Sequence, residues 1–392
     1  MRILFVADGR SPITRQWLQY WLEQGDEVYL VSTFPCAPEA ALAGYEFLPL
    51  AFSRYQAGRG AASRRGLTTG GRARIRQWLG PLTLPRAARR LRAVIAQVQP
   101  DFVHALRIPY EGMVAAWANA PAPLVISVWG NDFTLHARTT PLLAYLTRLT
   151  LRRATALHAD CQRDVRLARR LGLAPDCPTL VVPGNGGVRR EVFFPPATPP
   201  VQPVVINPRG LRGYVRTDAF FRAASLVLEK RPEARFYSVA MAGEEEARRW
   251  VEQLKIEHAV TLLPPQPHAA MGELFRAAMV AVSPSTHDGT PNTLLEAMAC
   301  GCLPVAGDIE SVREWITPGK NGLLVDPCSP TELATAMLQA LSDETLRQRA
   351  AQENARLIAE RADYRRCMAM ARAFYQQMLT HRPTAQEKER AA

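Results

Sequence analysis

Two carboxylates, Asp288 and Glu296, stand eight residues apart around a segment whose composition is typical of the start of a helix. Thr290 is a good N-cap residue, and Pro291 fits the first helical turn, where a missing N–H costs nothing. Three amides would then point out of the positive end of the helix, which favours binding of a diphosphate. The three amides belong to Asn292, Thr293 and Leu294.

The two carboxylates would accept hydrogen bonds from hydroxyl groups on either side of that anion. The segment therefore predicts a combined site for a sugar, a diphosphate and a ribose. An ordinary amphipathic helix with a polar N-cap and a solvated Glu296 is the alternative, and the spacing by itself does not decide between them.

The sequence lacks the motifs that are typical of several other classes of enzyme. The chain opens with a strand-like run and the turn Asp8-Gly9-Arg10, but it has no G-x-G-x-x-G and no acidic residue at the ribose position of a dinucleotide-binding unit. It also has no P-loop, no G-x-S-x-G nucleophile, no D-x-D pair and no cluster of metal ligands. We therefore exclude a nicotinamide-dependent dehydrogenase and expect neither a metal nor a cofactor.

Strand-like and helical patterns alternate from end to end, which indicates an α/β fold with parallel sheets. The dense prolines from Pro195 to Pro203 have no periodicity and indicate a linker, so the 392 residues divide into two Rossmann-like domains. The predicted parts are an N-terminal domain over 1–190, a linker over 191–203, a second domain over 204–362, a C-terminal helix over 363–380 and a disordered tail over 381–392.

The net charge is +12, and arginine supplies most of the positive charge. Eleven arginines lie in the segment Arg54–Arg92, interleaved with apolar residues such as Trp78, whereas no acidic residue lies between Glu46 and Asp101. A basic, partly apolar segment suits an anionic membrane surface or a polyanionic acceptor. A solvated arginine-rich loop is the alternative. No nucleic-acid-binding motif accompanies the charge, so we do not expect a nucleic-acid partner.

Cysteine usage and hydropathy indicate the compartment. Seven cysteines without a C-x-x-C pair or zinc-type spacing favour a reducing environment. No apolar run is long enough to span a bilayer, and Asp8 interrupts the apolar start of the chain, so we expect neither a transmembrane helix nor a signal peptide. We predict a cytoplasmic protein, with the inner face of the plasma membrane as a place of peripheral attachment.

The run from Val280 to Asp326 resembles the donor-binding signature of family 4 glycosyltransferases (glycosyl transferases group 1), which are retaining enzymes of the GT-B fold. That signature has a carboxylate, seven intervening residues and Glu-Ala-Met-Ala-x-Gly. Here Asp288, Glu296 and Ala-Met-Ala-Cys-Gly301 occupy those places. The resemblance implies two Rossmann-like domains whose parallel sheets face a central cleft, and a C-terminal helix that crosses back onto the first domain.

The resemblance also implies roles for residues of the second domain. Glu296 would bind the ribose hydroxyls, Asp288 the sugar hydroxyls and Arg209 the diphosphate. The family usually places a lysine shortly after that arginine. This chain has none there, so Arg212 or Arg216 would supply the second charge. Asp288 stands where glutamate is usual, which implies a recognisable but altered donor site.

Three further positions are implied in the first domain. Gly9 would lie close to the donor phosphates, although a simple turn with Ser11 as N-cap also explains it. Trp129 stands where many relatives have histidine, so Asp132 becomes the candidate for a polar contact, with a local loop cap as the alternative. His104 matches a histidine that often ends the corresponding strand and would lie near the acceptor or sugar. A structural histidine is its alternative.

The resemblance therefore implies a metal-independent, retaining glycosyltransferase, similar to hexosyltransferases, that moves a sugar from a nucleotide-sugar donor to an acceptor hydroxyl. The acceptor would be a glycan or a lipid-linked molecule in the synthesis of a bacterial surface polysaccharide, lipopolysaccharide or glycolipid. Two alternatives stay open. One is a catalytically inactive GT-B homologue that acts as a binding partner, and the other is a sugar-nucleotide epimerase of the same fold.

Overall fold

The computed structural model of the chain describes residues 1–38, 41–51, 53 and 76–380 and divides it into two compact units. The N-terminal unit comprises Met1–Gly186 and the chain from Met368 onwards, and the C-terminal unit comprises Gly187–Cys367. Each unit is built around one parallel sheet, so the predicted α/β fold is confirmed. Residues 54–75 of the arginine-rich segment and the predicted disordered tail lie outside the described residues.

In the described part of the chain, the N-terminal sheet has seven parallel strands in the order β3-β2-β1-β4-β5-β6-β7. Its inner strands are almost continuously apolar, because helices cover both faces of a parallel sheet. The strands are β1 (Arg2–Ala7), β2 (Glu27–Ser32), β3 (Gly44–Phe47), β4 (Phe102–Leu106), β5 (Leu124–Val128), β6 (Ala156–Ala159) and β7 (Thr179–Val181). The helices are α1 (Pro12–Glu23), α2 (Leu84–Val98), α3 (Met113–Ala118), α4 (Asn131–Thr134), α5 (Pro141–Arg153) and α6 (Gln162–Arg170).

The C-terminal sheet has six parallel strands among the described residues, in the order β10-β9-β8-β11-β12-β13. The strands are β8 (Val204–Asn207), β9 (Arg235–Ser238), β10 (Val260–Leu262), β11 (Val280–Ser283), β12 (Leu303–Gly307) and β13 (Leu323–Val325). The helices are α7 (Thr217–Leu228), α8 (Glu245–Gln253), α9 (His268–Ala277), α10 (Asn292–Ala299), α11 (Pro330–Ser342) and α12 (Glu344–Arg361). None of the described helices is both long and apolar enough to cross a membrane.

Each sheet has one place where the order of strands reverses. In the N-terminal sheet it lies between the neighbours β1 and β4, and in the C-terminal sheet between β8 and β11. Loops that leave the carboxyl ends of such neighbours run in opposite directions and leave a crevice between them. Open α/β sheets bind their ligands in crevices of this kind, so these two edges are the expected ligand positions.

The last helix, α13 (Tyr364–Thr380), packs into the N-terminal unit. Tyr375 is fully buried, stacks on Trp21 with 4.7 Å between ring centroids and meets Phe102 edge-on at 4.5 Å. Arg372 adds an ion pair of 2.7 Å with the buried Asp26. The predicted return of the C-terminal helix to the first domain is therefore confirmed.

The units divide between Gly186 and Gly187, whereas the sequence predicted a first domain to residue 190 and a linker to residue 203. Phe193, inside the predicted linker, is 2% exposed and packs against His268 and Phe275 of α9, with ring centroids 5.8 and 6.2 Å away. The segment is thus anchored in the core of the C-terminal unit. The proline pattern indicated an irregular backbone but carried no signal for this aromatic anchor.

Candidate functional site

Two loops of the C-terminal unit meet at the β8/β11 crevice. Backbone hydrogen bonds join them, from Thr286 N–H to Tyr214 O at 2.9 Å and from Arg216 N–H to Pro284 O at 3.2 Å. These bonds hold the loop after β8 beside the loop after β11, although the two are distant in the sequence. Predicted donor-binding residues of both loops therefore become neighbours.

Arg209 and Asp288 form an ion pair at this edge. Nη1 of Arg209 lies 2.7 Å from Oδ2 of Asp288, and the two side chains are only 12% and 13% exposed. The carboxylate also accepts the Gly289 amide at 3.0 Å, and Ser311 Oγ donates to the Asp288 carbonyl at 2.8 Å. Arg209 hydrogen-bonds Tyr214 as well. Because a guanidinium has five N–H donors, Arg209 can hold this carboxylate and a further anion at once.

The helix that was expected to begin after Thr290 begins one residue later. Pro291 is the N-cap of α10, and no side chain caps the helix. Thr290 therefore lies one residue before the N-cap, and its hydroxyl accepts the indole N–H of Trp315 at 3.0 Å. The amide of Leu294 donates to the Pro291 carbonyl at 2.9 Å, so the prediction that this amide faces a ligand is corrected. The amides of Asn292 and Thr293 remain the candidates at the helix end.

Glu296 lies one turn after Asn292 on the same face of α10. It is 5% exposed, and its carboxyl group has no hydrogen-bond partner among the described residues. Burial raises the pKa of Glu296 to about 8, because removal from water disfavours the charged form. Buried carboxyl groups with perturbed pKa values are typical of functional sites.

Several buried polar atoms at the carboxyl edge of the C-terminal sheet and at the start of α10 also lack hydrogen-bond partners within the described chain. They come from the ends of β8 and β9, the loop after β11 and the first turn of α10. The atoms are Asn207 Nδ2, Ser238 Oγ, Ser285 Oγ, Asn292 Oδ1 and Thr293 Oγ1. Most buried polar groups in proteins are satisfied, so a group of unsatisfied ones at one sheet edge suits a polar ligand with several hydroxyls.

The two candidates for the second cation differ in their surroundings. Arg216 forms a two-pronged ion pair with Asp218, with Nε–Oδ1 and Nη2–Oδ2 distances of 2.9 and 2.8 Å. Arg212 is exposed, and its Nη1 donates to the Tyr214 hydroxyl at 3.0 Å. Arg212 therefore has the guanidinium that is less engaged with carboxylates.

The N-terminal unit has its own pocket at the β1/β4 crevice. Its volume is about 370 Å³, and residues after β1, β4 and β5 line it, including Asp8, Arg10 and Trp129. The turn after β4 is strained, because Arg107 and Tyr110 have φ angles of 132° and 70° in the region that favours glycine. Such backbone costs about 1–3 kcal/mol per residue and is concentrated at binding and catalytic sites.

Gly9 stands between the pocket residues Asp8 and Arg10 in the sequence, but it is buried and serves the packing of the sheet. A Cβ atom at this position would lie 2.4 Å from Cys36 Sγ and 3.0 Å from Ser32 Oγ. The Gly9 amide donates to the same Ser32 hydroxyl at 3.0 Å. Close approach to β2 explains the glycine, and its contact with donor phosphates stays a prediction.

Trp129 lies on the surface of the pocket, whereas Asp132 is buried behind it. Trp129 lines the pocket, whereas Asp132 is 1% exposed and accepts the amides of Ile108 and Trp129, each at 3.2 Å. Its carboxylate also pairs with Arg107 at 3.2 Å. Asp132 thus braces the loops after β4 and β5, which agrees with the loop-cap alternative. It supports the pocket wall from behind and does not line it.

His104 lies inside the core, so a sugar contact does not fit its position and the structural alternative does. Its ring belongs to a continuous buried chain of hydrogen bonds. Tyr375 Oη lies 2.5 Å from His104 Nδ1, and His104 Nε2 lies 2.8 Å from Ser127 Oγ. Ser127 Oγ lies 2.8 Å from His158 Nδ1, and His158 Nε2 lies 3.2 Å from Val182 O. The Val182 carbonyl can only accept, so every donor in the chain points toward it. Burial lowers the pKa of both histidines, that of His158 to about 4.

The sequence singled out Trp129 of the N-terminal pocket but not several other residues that shape it. Arg107, Tyr110 and Glu111 follow β4 directly, and His136 and Arg76 complete the wall. The position after a strand at the reversal of strand order was the available signal for the first three. The positions of the other two depend on tertiary packing.

Among the described residues, one group of side chains after β6 could hold a metal ion. Asp160, Cys161 and Asp164 have ligand atoms within 4.8 Å of one another and are buried. However, Arg163 Nη2 lies 2.8 Å from Asp164 Oδ1, so a cation there would compete with a guanidinium already in place. The expected absence of a metal stays a prediction.

Two known protein families match this chain, one in each of the two structural units. Residues 188–357 match the family Glycosyl transferases group 1, and residues 9–186 match the Glycosyl transferase 4-like domain. The chain belongs to the group 1 glycosyltransferases. The family resemblance that the sequence indicated is therefore confirmed, and this glycosyltransferase chain has the GT-B fold.

Relatives and solved structures agree with this assignment. The chain is 31% identical over 140 residues to D-inositol 3-phosphate glycosyltransferase of Thermomonospora curvata, which covers 33% of this chain and 32% of the relative. The enzyme of that name from Corynebacterium urealyticum is 38% identical over 96 residues, 24% of this chain and 23% of the relative. These matches span about a third or less of the curated relatives.

Similar structures include sucrose-phosphate synthase from Thermosynechococcus elongatus, with a TM-score of 0.76 and 16% identity over 97% of this chain and all of that one. HepE of Anabaena, solved with UDP and glucose, has a TM-score of 0.71 and 17% identity, and the match covers 97% of this chain and all of HepE. At such low identity these likenesses describe the fold.

Proposed function

We propose that this group 1 glycosyltransferase transfers a sugar from a nucleotide-sugar donor to an acceptor hydroxyl, with the donor bound at the β8/β11 crevice. The observation that carries the proposal is the buried, partnerless carboxyl group of Glu296 on α10, the helix that follows the Arg209–Asp288 pair. Further unsatisfied polar atoms lie at the carboxyl edge of the same sheet and at the start of α10, where α/β sheets bind ligands. A donor with hydroxyls and a diphosphate would satisfy each of these groups.

Each residue then has a chemical task. Vicinal ribose hydroxyls would donate to Glu296, and Asp288 would accept hydroxyls of the sugar. Arg209 and the N-terminal amides of α10 would stabilise the diphosphate as negative charge develops on it in the transition state. Because fixed positive groups perform this task, we propose that the reaction is metal-independent. We also propose retention of the anomeric configuration, the expectation from the family resemblance.

The direct test is calorimetric titration of the chain with UDP, GDP and ADP, followed by sugar derivatives of the nucleotide that binds. UDP-glucose is a reasonable first donor, because HepE was solved with UDP and glucose. Glu296→Ala should abolish binding of that nucleotide, whereas Glu229→Ala, an exposed position in the same unit, should not change it. Failure of every nucleotide to bind would refute the proposal.

Two further measurements on the same protein test the stereochemistry of transfer and the need for a metal. Nuclear magnetic resonance of the product reports the anomer, and activity in excess chelator reports the need for a metal. The inactive-homologue alternative is supported by one observation, since the charge of Arg216 is already matched by Asp218. Donor binding without transfer to any acceptor would favour it. Turnover of the donor without an acceptor would favour the epimerase.

We propose further that the N-terminal unit binds an anionic membrane surface, as suits a bacterial lipid-linked acceptor and the cytoplasmic face of the membrane. Trp78, Leu79 and Leu82 are 62%, 48% and 70% exposed, directly before α2. Exposed arginines on the first two turns of α2, Arg86 and Arg89, supply charge that complements anionic lipid.

Cosedimentation with vesicles checks this membrane proposal. Binding should be strong with phosphatidylglycerol and weak with phosphatidylcholine, and Trp78→Ser with Leu82→Ser should weaken it at least about tenfold. Leu142→Ser is the matched control, because Leu142 is 43% exposed on α5 of the same unit. Equal binding of the double variant and the control variant would contradict the assignment of this surface.

A further inference from the structure

The pocket of about 370 Å³ at the β1/β4 crevice is lined by three arginines, Arg10, Arg76 and Arg107, all within the N-terminal unit. Like charges that converge on one small pocket repel one another unless counter-charges neutralise them. The carboxylates around each guanidinium therefore decide whether the pocket has a charge left for a ligand.

Two of the three arginines are neutralised by neighbours. Arg10 forms a two-pronged pair with Asp8, with Nε–Oδ1 and Nη2–Oδ2 distances of 3.0 and 2.9 Å. Arg107 pairs with Asp132 at 3.2 Å. Arg76 has no carboxylate within ion-pair distance among the described residues.

The guanidinium of Arg76 is held in place by aromatic rings and not by a counter-charge. Its Cζ lies 5.0 Å from the centroid of the Phe34 ring and 4.8 Å from that of Tyr110. Arg10 lies over the same Phe34 ring at 3.7 Å. Contact with ring faces positions a guanidinium while its N–H donors stay available for hydrogen bonds.

The remaining titratable groups of the pocket form no ion pair with Arg76 among the described residues. Glu111 is 4% exposed and accepts the Thr33 hydroxyl at 2.7 Å, and burial raises the pKa of its carboxyl group. Burial lowers the pKa of His136 to about 4, and its neutral ring nitrogen Nε2 faces Arg107 Nη2 at 2.8 Å. Arg76 therefore keeps guanidinium N–H donors that no carboxylate of the described residues engages in an ion pair.

We infer that this pocket binds the acceptor through an anionic group, a phosphate or a carboxylate, held by Arg76 on a hydroxyl-bearing head group. Asp8 and Glu111 lie in the same wall and can accept hydroxyl hydrogen bonds, while Trp129 offers an apolar face to a sugar ring or polyol. The inference rests on the proposed transferase function and names the substrate class of its acceptor side.

The test is titration of the full chain with four probes, sn-glycerol 3-phosphate, glucuronate, glycerol and glucose. Ligand-observed nuclear magnetic resonance measures the affinity of each probe. The two charged probes should bind at least about tenfold more tightly than the neutral ones. Arg76→Gln should weaken the charged probes at least about tenfold. Arg169→Gln, which removes the same charge from an exposed position on α6, should leave their affinity unchanged.

Equal affinity for charged and neutral probes, or equal affinity of the Arg76→Gln and Arg169→Gln proteins, would overturn the inference. Competition of bound sn-glycerol 3-phosphate by phosphatidylglycerol vesicles, but not by phosphatidylcholine vesicles, would identify a lipid head group as the source of the anion. Lack of competition would identify a free phosphate. UDP titration of Arg76→Gln separates the two proposals, since normal UDP binding with no anion binding refutes only this inference.

Discussion

Replacement of Glu296 by glutamine should stabilise the ligand-free protein, and the gain should increase with pH. Glutamine keeps the shape of the side chain but has no charge to bury. The folded pKa of Glu296 is about 8 against an ordinary value of 4.5, so the folded state binds this proton more tightly than the unfolded chain. The free energy of unfolding of the wild type therefore falls as pH rises between those two values, and the variant lacks this loss.

The magnitude follows from the pKa difference. One pKa unit corresponds to about 1.4 kcal/mol, and pH 7 lies about 2.5 units above the unfolded pKa. The variant should thus be more stable by about 3 kcal/mol at pH 7. The gain should be about 1 kcal/mol at pH 5 and should level off near about 5 kcal/mol above pH 8.

Urea denaturation followed by tryptophan fluorescence at pH 5, 6, 7 and 8 measures these differences. Glu229→Gln is the control, because Glu229 is exposed in the same unit and its replacement should change stability by less than about 0.5 kcal/mol. A gain that does not vary with pH would refute the reasoning. So would a Glu296→Gln protein that is less stable at pH 7, since the charge would then have a partner in the folded state.

Three further substitutions test other contacts, each by denaturation against the wild type. Arg209→Ala should destabilise the C-terminal unit by about 3 kcal/mol, because it leaves the mostly buried Asp288 carboxylate without its cation, and an unchanged midpoint would contradict this. Tyr375→Phe should lower the free energy of unfolding by about 1–3 kcal/mol, because His104 Nδ1 loses its hydrogen-bond donor. A decrease below about 0.5 kcal/mol would show that this chain of hydrogen bonds adds little to stability. Gly307→Ala should destabilise the protein and weaken UDP binding, because a Cβ atom there would collide with the backbone of the loop that carries Asp288, and normal UDP affinity would contradict the clash.

The sequence predicted the sheets well because their signal is local. Apolar runs such as Val280–Ser283 identify a strand wherever it lies, and alternation with helices indicates parallel pairing. The Asp288–Glu296 segment is also local, since nine consecutive residues contain both carboxylates and the helix start.

Features that depend on tertiary contacts could not be predicted in the same way. The ion pair of Arg209 with Asp288 requires two loops to meet across the β8/β11 crevice. His104 became a core residue because Tyr375 reaches it from 271 positions away in the sequence. The strained turn at Tyr110 has no sequence marker, because the residue there is not glycine.

The docking of α13 has a consequence for biosynthesis. The aromatic surface formed by Trp21, Phe102 and His104 is covered by Tyr375, which belongs to the end of the chain. After the ribosome has made Gly186, it must add the whole C-terminal unit before that cover exists. At about 5–20 residues per second this takes roughly 10 to 35 seconds. During that interval the nascent N-terminal unit exposes an apolar surface, so chains that terminate early retain a feature that chaperones and proteases bind.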